Sequence, residues 1–367
     1  MGICRLDPSG ACLGCGRTIG QIAAWGHMDE VERLRVMSML AASDAAGGSE
    51  AAAAPPLADP LRIVSLLPAA TEIACALGLS DSVVGVSHEC RAAPAARDRP
   101  AVVRPAVALD GLTQRQIDAA VSQRLAQGQS LYVIDEELLR RLRPDLILTQ
   151  DLCQVCAPSG RQLTGALASL TPTPRVLAMT PHTLADILQT IQQLGHLTGR
   201  VAAAAVLIQS CRERLAAIRT ALAPSAAQPR VFFMEWTDPI YCGGHWIAEM
   251  IGLAGGVDAL ARAGQDSVRL DWEDVRDWAP EVLIVAPCGC DSAQAFEQLS
   301  TLARLPGWAA LPAVERDRVY CVDANSYFAC PGPRVFEGIE LLAHLIHPER
   351  VGWSGAEDAY RAAAPSH

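Results

Sequence analysis

The chain has 367 residues and a mass of 38.9 kDa; half its residues are apolar and 19% are charged, which excludes a single small domain and global disorder. Acidic residues outnumber basic ones by 40 to 30, a formal charge of -10, so nucleic acid is repelled rather than bound. Every basic residue is Arg, which removes the Walker-type phosphate loop, the pyridoxal Schiff base and kinase chemistry, all of which need Lys.

Residues 1–40 read as a Cys-rich module. Cys4, Cys12 and Cys15 lie in a Gly-rich stretch as candidate ligands for zinc or an iron–sulfur group. Thr18 with Gln21 forms a capping box that opens a helix, and Asp29 caps a second. No basic stretch followed by a long apolar run is present at the start, and no run of about 18 apolar residues follows. The sequence therefore predicts a cytoplasmic protein with no membrane insertion, whose 13 cysteines stay reduced. Residues 41–60, rich in Ala, Gly and Pro, read as a flexible linker.

From residue 61 short β-rich runs alternate with helical patterns. Strands are predicted at 62–66, 83–86, 146–149 and 175–178, which places an α/β lobe over 61–180. Residues 183–222 keep helical spacing apart from Gly195 and Gly199, giving a connecting helix over 181–224. A second strand set at 231–235, 282–286 and 319–322 falls in a lobe over 228–348, followed by a tail over 349–367. Strands alternating with helices imply parallel sheets with right-handed crossovers. A weak repeat links the halves: Asp135, Glu137, Pro144 and Asp145 recur as Asp271, Glu273, Pro280 and Glu281. In each copy a capped helix ends before Pro and the chain enters a buried strand.

In open parallel sheets the ligand crevice is lined by the loops at the carboxyl ends of strands. Those loops hold His88, Glu89 and Cys90; Gln150, Asp151, Cys153 and Cys156; Trp236, His245 and Trp246; Cys288 and Cys290; and Asn325, Ser326 and Tyr327. His88 and His245 suit either metal ligation or structural hydrogen bonding. His88-Glu89 is no zincin motif, because position 92 is Ala. Cys153-x2-Cys156 has the spacing of zinc sites and redox pairs. Cys90, Cys288 and Cys290 read either as a thiol cluster across the crevice or as inert buried thiols. Thr71-Glu72 reads as a helix start stabilised by the dipole, and Arg214 with Arg219 as a solvated face.

SLLPAATEIACALG, VGVSHEC, LRPDLILTQDLCQVCA, EWTDPIYCGGHW and NSYFACPGPR, spread over 61–348, resemble the cobalamin-binding branch of the substrate-binding proteins that serve ABC importers of iron complexes and corrinoids. The resemblance implies an α/β fold of two Rossmann-like lobes with parallel sheets, joined by a long rigid helix, and a non-catalytic protein holding cobalamin between the lobes. The crevice loops then put His88, Glu89, Cys90, Gln150, Asp151, Cys153, Trp236, His245, Trp246, Cys288, Asn325, Ser326 and Tyr327 forward as the expected ligand-binding residues. The resemblance also implies that Glu137 and Glu273 contact an ABC permease; with no leader visible, the expected role is corrinoid salvage or handling in the cytoplasm. CRLDPSGACLGCGRTIGQIAAW is similar to a small Cys-rich family of unknown function often labelled a predicted iron–sulfur protein.

A bulky macrocycle with neutral amide arms calls for aromatic walls and neutral hydrogen-bonding groups, which Trp236, Trp246, Tyr327, Asn325 and Ser326 supply. Two other functions compete. One is a thiol- or metal-dependent enzyme using Cys90, Cys153, Cys156, Cys288 and Cys290. The other is a ferric-siderophore or haem binder, for which the crevice motifs offer few cations beyond Arg91, Arg161 and Arg334.

Overall fold

The structure is a computed structural model and describes residues 57, 59–90, 96–109, 111–150, 165–167, 170–222 and 228–363. Cys4, Cys12, Cys15, Asp151, Cys153 and Cys156 lie outside the described residues, as do Arg91 and Arg161.

Two sheets carry the chain. The first has the order β4-β3-β2-β1-β5-β6, built from β1 (Ile63–Ser65), β2 (Val83–Ser87), β3 (Ala101–Pro105), β4 (Tyr132–Ile134), β5 (Leu146–Thr149) and β6 (Arg175–Ala178). Its pairs are parallel except β3 with β4. The second has the order β11-β10-β9-β7-β8, from β7 (Val231–Thr237), β8 (Ile240–Cys242), β9 (Val282–Val285), β10 (Val319–Val322) and β11 (Tyr360–Ala362). Here β7, β9 and β10 are parallel, and the two edge strands are antiparallel. The α/β architecture with parallel sheets is therefore as the alternating pattern predicts.

Alternate residues of each central strand feed different cores. Ile63, Leu146 and Leu148 pack on one face of the first sheet, and Val64, Ile147 and Val102 on the other. Val231, Phe233, Val282 and Ile284 line one face of the second sheet, and Phe232, Met234, Leu283 and Val285 the opposite face. Parallel strands covered on both sides have no solvent face, which is why they appear as unbroken apolar runs.

The helices that matter below are α1 (Pro68–Ala76), α2 (Gln114–Ala126), α3 (Glu136–Leu142), α4 (Leu184–Leu197), α5 (Val201–Leu222), α6 (Ile247–Leu253), α7 (Trp272–Trp278), α8 (Ala324–Tyr327) and α9 (Val335–Ile346). The repeat in the sequence is a structural joint made twice. Asp135 caps α3 by accepting from the Leu138 N–H at 2.9 Å, and Asp271 caps α7 in a capping box with Asp274. Each helix ends on a left-handed residue, Arg143 or Ala279, just before the Pro. An arginine then ties the helix end to the neighbouring strands. Arg62 donates from its N–H to Asp145 (2.9 Å) and from Nε to the Leu142 carbonyl (2.7 Å). Arg230 donates likewise to Glu281 (3.1 Å) and to the Ala279 carbonyl (2.9 Å).

Three expectations need correction. The single connecting helix over 181–224 is a packed pair, α4 and α5, because Thr198 folds its hydroxyl back onto the Leu194 carbonyl (2.7 Å) and Gly199 takes a φ of 69°. Ile191, Leu194, Ala204 and Ile208 of this pair belong to the first lobe's core, whereas Leu184, Ile187, Cys211 and Ile218 belong to the second's. The brace is thus a two-helix unit embedded in both cores. The tail over 349–367 is likewise more than a tail, since it contributes β11 to the second sheet, with Val322 opposite Tyr360. Arg214 is not simply solvated: it pairs with Glu340 at 2.6 Å and Glu337 at 3.5 Å on α9.

Candidate functional site at the seam between the lobes

Among the described residues the lobes meet at two polar seams. At the first, Glu72 of α1 forms an ion pair with Arg334, the residue that leads into α9. Both side chains are largely buried, at 16% and 24% exposure. Glu72 Oε2 and Arg334 Nη2 have no further hydrogen-bond partner among the described residues. Burial pushes the Glu72 carboxyl above its ordinary range while Arg334 pulls it back. The preceding loop is pressed onto the first lobe: a Cβ on Gly332 would lie 2.8 Å from Glu72 Oε2, and Cys330 packs against the first lobe's core. Glu72 is therefore an inter-lobe ion-pair partner, which corrects its reading as a plain helix-start charge. The partners are 262 residues apart, so no local pattern announces them.

At the second seam α2 reaches the β7–β8 hairpin. Buried Gln114 accepts from the Thr237 N–H (2.8 Å) and hydroxyl (2.5 Å). Arg115 forks onto Asp238 at 3.0 and 2.6 Å, and the Tyr241 hydroxyl donates to Asp118 at 3.2 Å. Sequence reasoning missed Gln114, Arg115 and Asp118 because α2 is polar, with no apolar stripe to announce it. Two N–H donors at or beside this seam lie buried without a partner among the described residues: Gln114 Nε2 and Trp236 Nε1, the latter one residue from Thr237.

In the first lobe, half-buried His88 follows β2 and turns toward the sheet edge, its Nδ1 3.2 Å from the Val103 carbonyl and its ring 6.2 Å from that of Tyr132. Glu89 is exposed and lies 3.9 Å from His88. Cys90 is buried, accepts from the Thr71 hydroxyl at 3.0 Å and has its thiol pushed up to about 11 by burial. Gln150 is buried at the end of β5.

In the second lobe the hub is Glu235, on β7. Its carboxylate accepts from the Gly244 N–H at 3.0 Å and lies 3.5 Å from the Ser267 hydroxyl and 3.7 Å from the Cys288 thiol. Burial, the largest influence, pushes this carboxyl up against those donors. His245 sits in the left-handed region (φ 51°), with Nε2 3.0 Å from Asp266 and its ring 5.7 Å from that of His182. Desolvation lowers its pKa, favouring the neutral ring. Trp246 belongs to the second lobe's core and donates to the Phe328 carbonyl at 2.9 Å. Tyr327 is buried against Phe328 and Trp353, Ser326 is half-buried and Asn325 is exposed. Glu137 and Glu273 are exposed in the first turns of α3 and α7.

Gly244 is where this hub is least tolerant. A Cβ there would stand 2.4 Å from the Ser267 backbone nitrogen, and backbone cannot swing aside. Gly244→Ala should lose about 1–3 kcal/mol in urea unfolding. Gly252→Ala, in α6 with open space around it, should instead gain about 0.5–1 kcal/mol. Equal effects would mean that the Glu235 hub has room to spare.

Among the described residues no group of three or more His, Cys, Asp or Glu side chains is placed to hold a metal ion. The Cys290 thiol, like that of Cys90, is pushed up to about 11 by burial, so both are protonated at neutral pH and poor nucleophiles. That removes the basis for the thiol-enzyme reading at these two positions.

Residues 63–326 match the family model described as "Periplasmic binding protein". The chain belongs to this family. The vitamin B12-binding protein of Vibrio cholerae is 27% identical over 294 residues, 78% of this chain and 88% of that protein. An uncharacterized ABC transporter substrate-binding lipoprotein of Bacillus subtilis is 25% identical, covering 79% and 81%. Among solved structures, a periplasmic heme-binding protein from Pseudomonas aeruginosa superposes with a TM-score of 0.63 at 19% identity, over 84% of this chain and all of that one. The periplasmic vitamin B12-binding protein of Vibrio cholerae does so with 0.56 at 24%, over 78% and 96%. These superpositions carry the fold. The non-catalytic reading agrees with the binding proteins among its homologues.

The expectation of a cytoplasmic protein is overturned, because the relatives are described as periplasmic proteins or a lipoprotein. An apparent lack of a leader was the wrong guide. Residues 1–43 match a family described as a protein of unknown function (DUF1289), which assigns no metal. Among the described residues no helix is long and apolar enough to cross a membrane.

Proposed function

We propose that the protein binds cobalamin or a related corrinoid between its lobes, outside the cytoplasm, and presents it to an ABC permease through Glu137 and Glu273. The reading is carried by the character of the seams. Arg334, the arginine of the crevice motifs that falls within the described residues, is already neutralised by Glu72, as Arg115 is by Asp238. At the second seam the buried donors left over, Gln114 Nε2 and Trp236 Nε1, are uncharged; at the first, Arg334 Nη2 is left over but its charge is matched by Glu72. Neutral N–H groups suit the carboxamide arms of a corrinoid, whereas the carboxylates of haem or an anionic siderophore call for unspent cations. The sequence relatives that bind vitamin B12 support the same choice.

Titration with cyanocobalamin and, separately, with haem tests it. Cyanocobalamin should bind with a shift in its visible bands and resist displacement by an equimolar amount of haem. Trp236→Ala should weaken binding by about tenfold or more, the usual cost of truncating a central aromatic contact. Saturable haem binding with no response to cyanocobalamin would overturn the proposal.

A further inference from the structure

We infer that a groove on the outer face of α4 and α5 is the docking surface for the protein's own N-terminal segment, residues 1–43. The groove has a volume of about 690 Å³ and is lined by Gln192 and His196 of α4 and by Val201, Ala205 and Val206 of α5. Val201 is 47% exposed and Val206 72%, with exposed Ala202 and Ala205 beside them. Four apolar side chains in the first two turns of a helix make a continuous apolar patch, unlike the isolated apolar residues of an ordinary surface.

The occupant follows from where the chain enters the body. Leu57 donates its N–H to the Leu197 carbonyl at 2.9 Å and packs against the first lobe's core. Two residues on, Asp59 pairs with Arg200 at 3.3 Å. Leu197 adjoins His196 and Arg200 adjoins Val201, so the N-terminal segment is tethered within a turn of the groove. The 13 residues between 43 and 57 are rich in Ala, Gly and Pro, a length and composition for which chain statistics give a mean span of about 20 Å. So short a tether holds the segment near millimolar effective concentration, enough for a modest patch to be occupied.

The segment also needs a surface. A unit of about 40 residues buries too little of itself to be stable without a disulfide, a metal or a partner. Its sequence carries Ile22 and Trp25, then Val31, Leu34 and Met37, at the three-residue spacing that lines one side of a helix. Its charges do not oppose docking: Arg5, Arg17, Arg33 and Arg35 balance Asp7, Asp29, Glu30 and Glu32, and Arg212 balances Glu213 at the far end of the groove.

The test is photo-crosslinking in the full chain, with a benzophenone side chain placed at Val206 or, as a control, at Val133 on β4, which is 50% exposed. The Val206 probe should join peptides from residues 1–43 within one chain, in a yield independent of protein concentration and at least fivefold above that from Val133. Moving the probe to Ala205 and adding Val206→Glu should cut that yield several-fold. A product of two-chain mass would assign the groove to a second copy and overturn the inference. So would a yield equal to the control, or one that Val206→Glu leaves unchanged.

Discussion

Arg334→Ala should lower the unfolding free energy by about 3–5 kcal/mol, the usual result of stripping the partner from a buried ion pair. The loss is large because Glu72 has nowhere else to turn: its Oε2 is buried without another partner, and the Cys330–Gly332 side of the seam closes over it. Replacing both partners, as Glu72→Leu with Arg334→Met, should recover most of the loss, since a desolvated pair contributes less than its parts suggest. The pH dependence has a definite sign. Burial raises the Glu72 carboxyl, and losing Arg334 raises it further, so the folded variant holds a proton that the unfolded chain releases near pH 4. The deficit should therefore shrink as pH falls from 7 toward 4. Urea titrations at pH 7 and pH 5 measure both effects; a deficit under 1 kcal/mol at pH 7 would mean that solvent reaches the pair.

Phe232→Ala and Phe233→Ala should each cost about 3–5 kcal/mol, although the two residues are adjacent. Phe232 is fully buried with Trp272 and Trp308 on one face of the second sheet. Phe233, at 1% exposure, packs edge-on to Phe328 on the other, with ring centroids 5.2 Å apart. In a strand with one wet face, one of the two truncations would stay within about 0.5 kcal/mol of neutral. Thermal and urea unfolding of the two variants distinguishes these cases directly.

The same double burial explains what was legible in the sequence. β5, β6 and β10 fall at the predicted limits, because an apolar run bounded by Pro or polar loops admits little else. β4, β8 and β11 escaped notice, since three residues at a sheet edge are too few to display alternation. β3 ends in Arg104 and Pro105 and looks like a loop. The break between α4 and α5 was masked by apolar spacing that continues through Gly199.

The site was legible in kind more than in detail. His245 and Cys288 do follow strands β8 and β9, whereas Trp236 and Glu235, the latter not singled out from the sequence, lie within β7, and Trp246, expected as a ligand wall, belongs to the second lobe's core. Residues that join the lobes, such as Glu72 with Arg334 and Gln114 with Thr237, find partners more than 100 positions away. Neither periodicity nor spacing encodes such a contact.

β11 has a consequence for how the protein comes to be made. Because residues 360–362 supply the outer edge of the second sheet, β10 keeps an open flank of backbone hydrogen-bonding groups until the polypeptide has been synthesised almost to residue 363. The first sheet, by contrast, is complete once residue 178 has emerged. A ribosome would thus release a nascent chain whose leading half can already settle while its trailing half is still vulnerable to sticking.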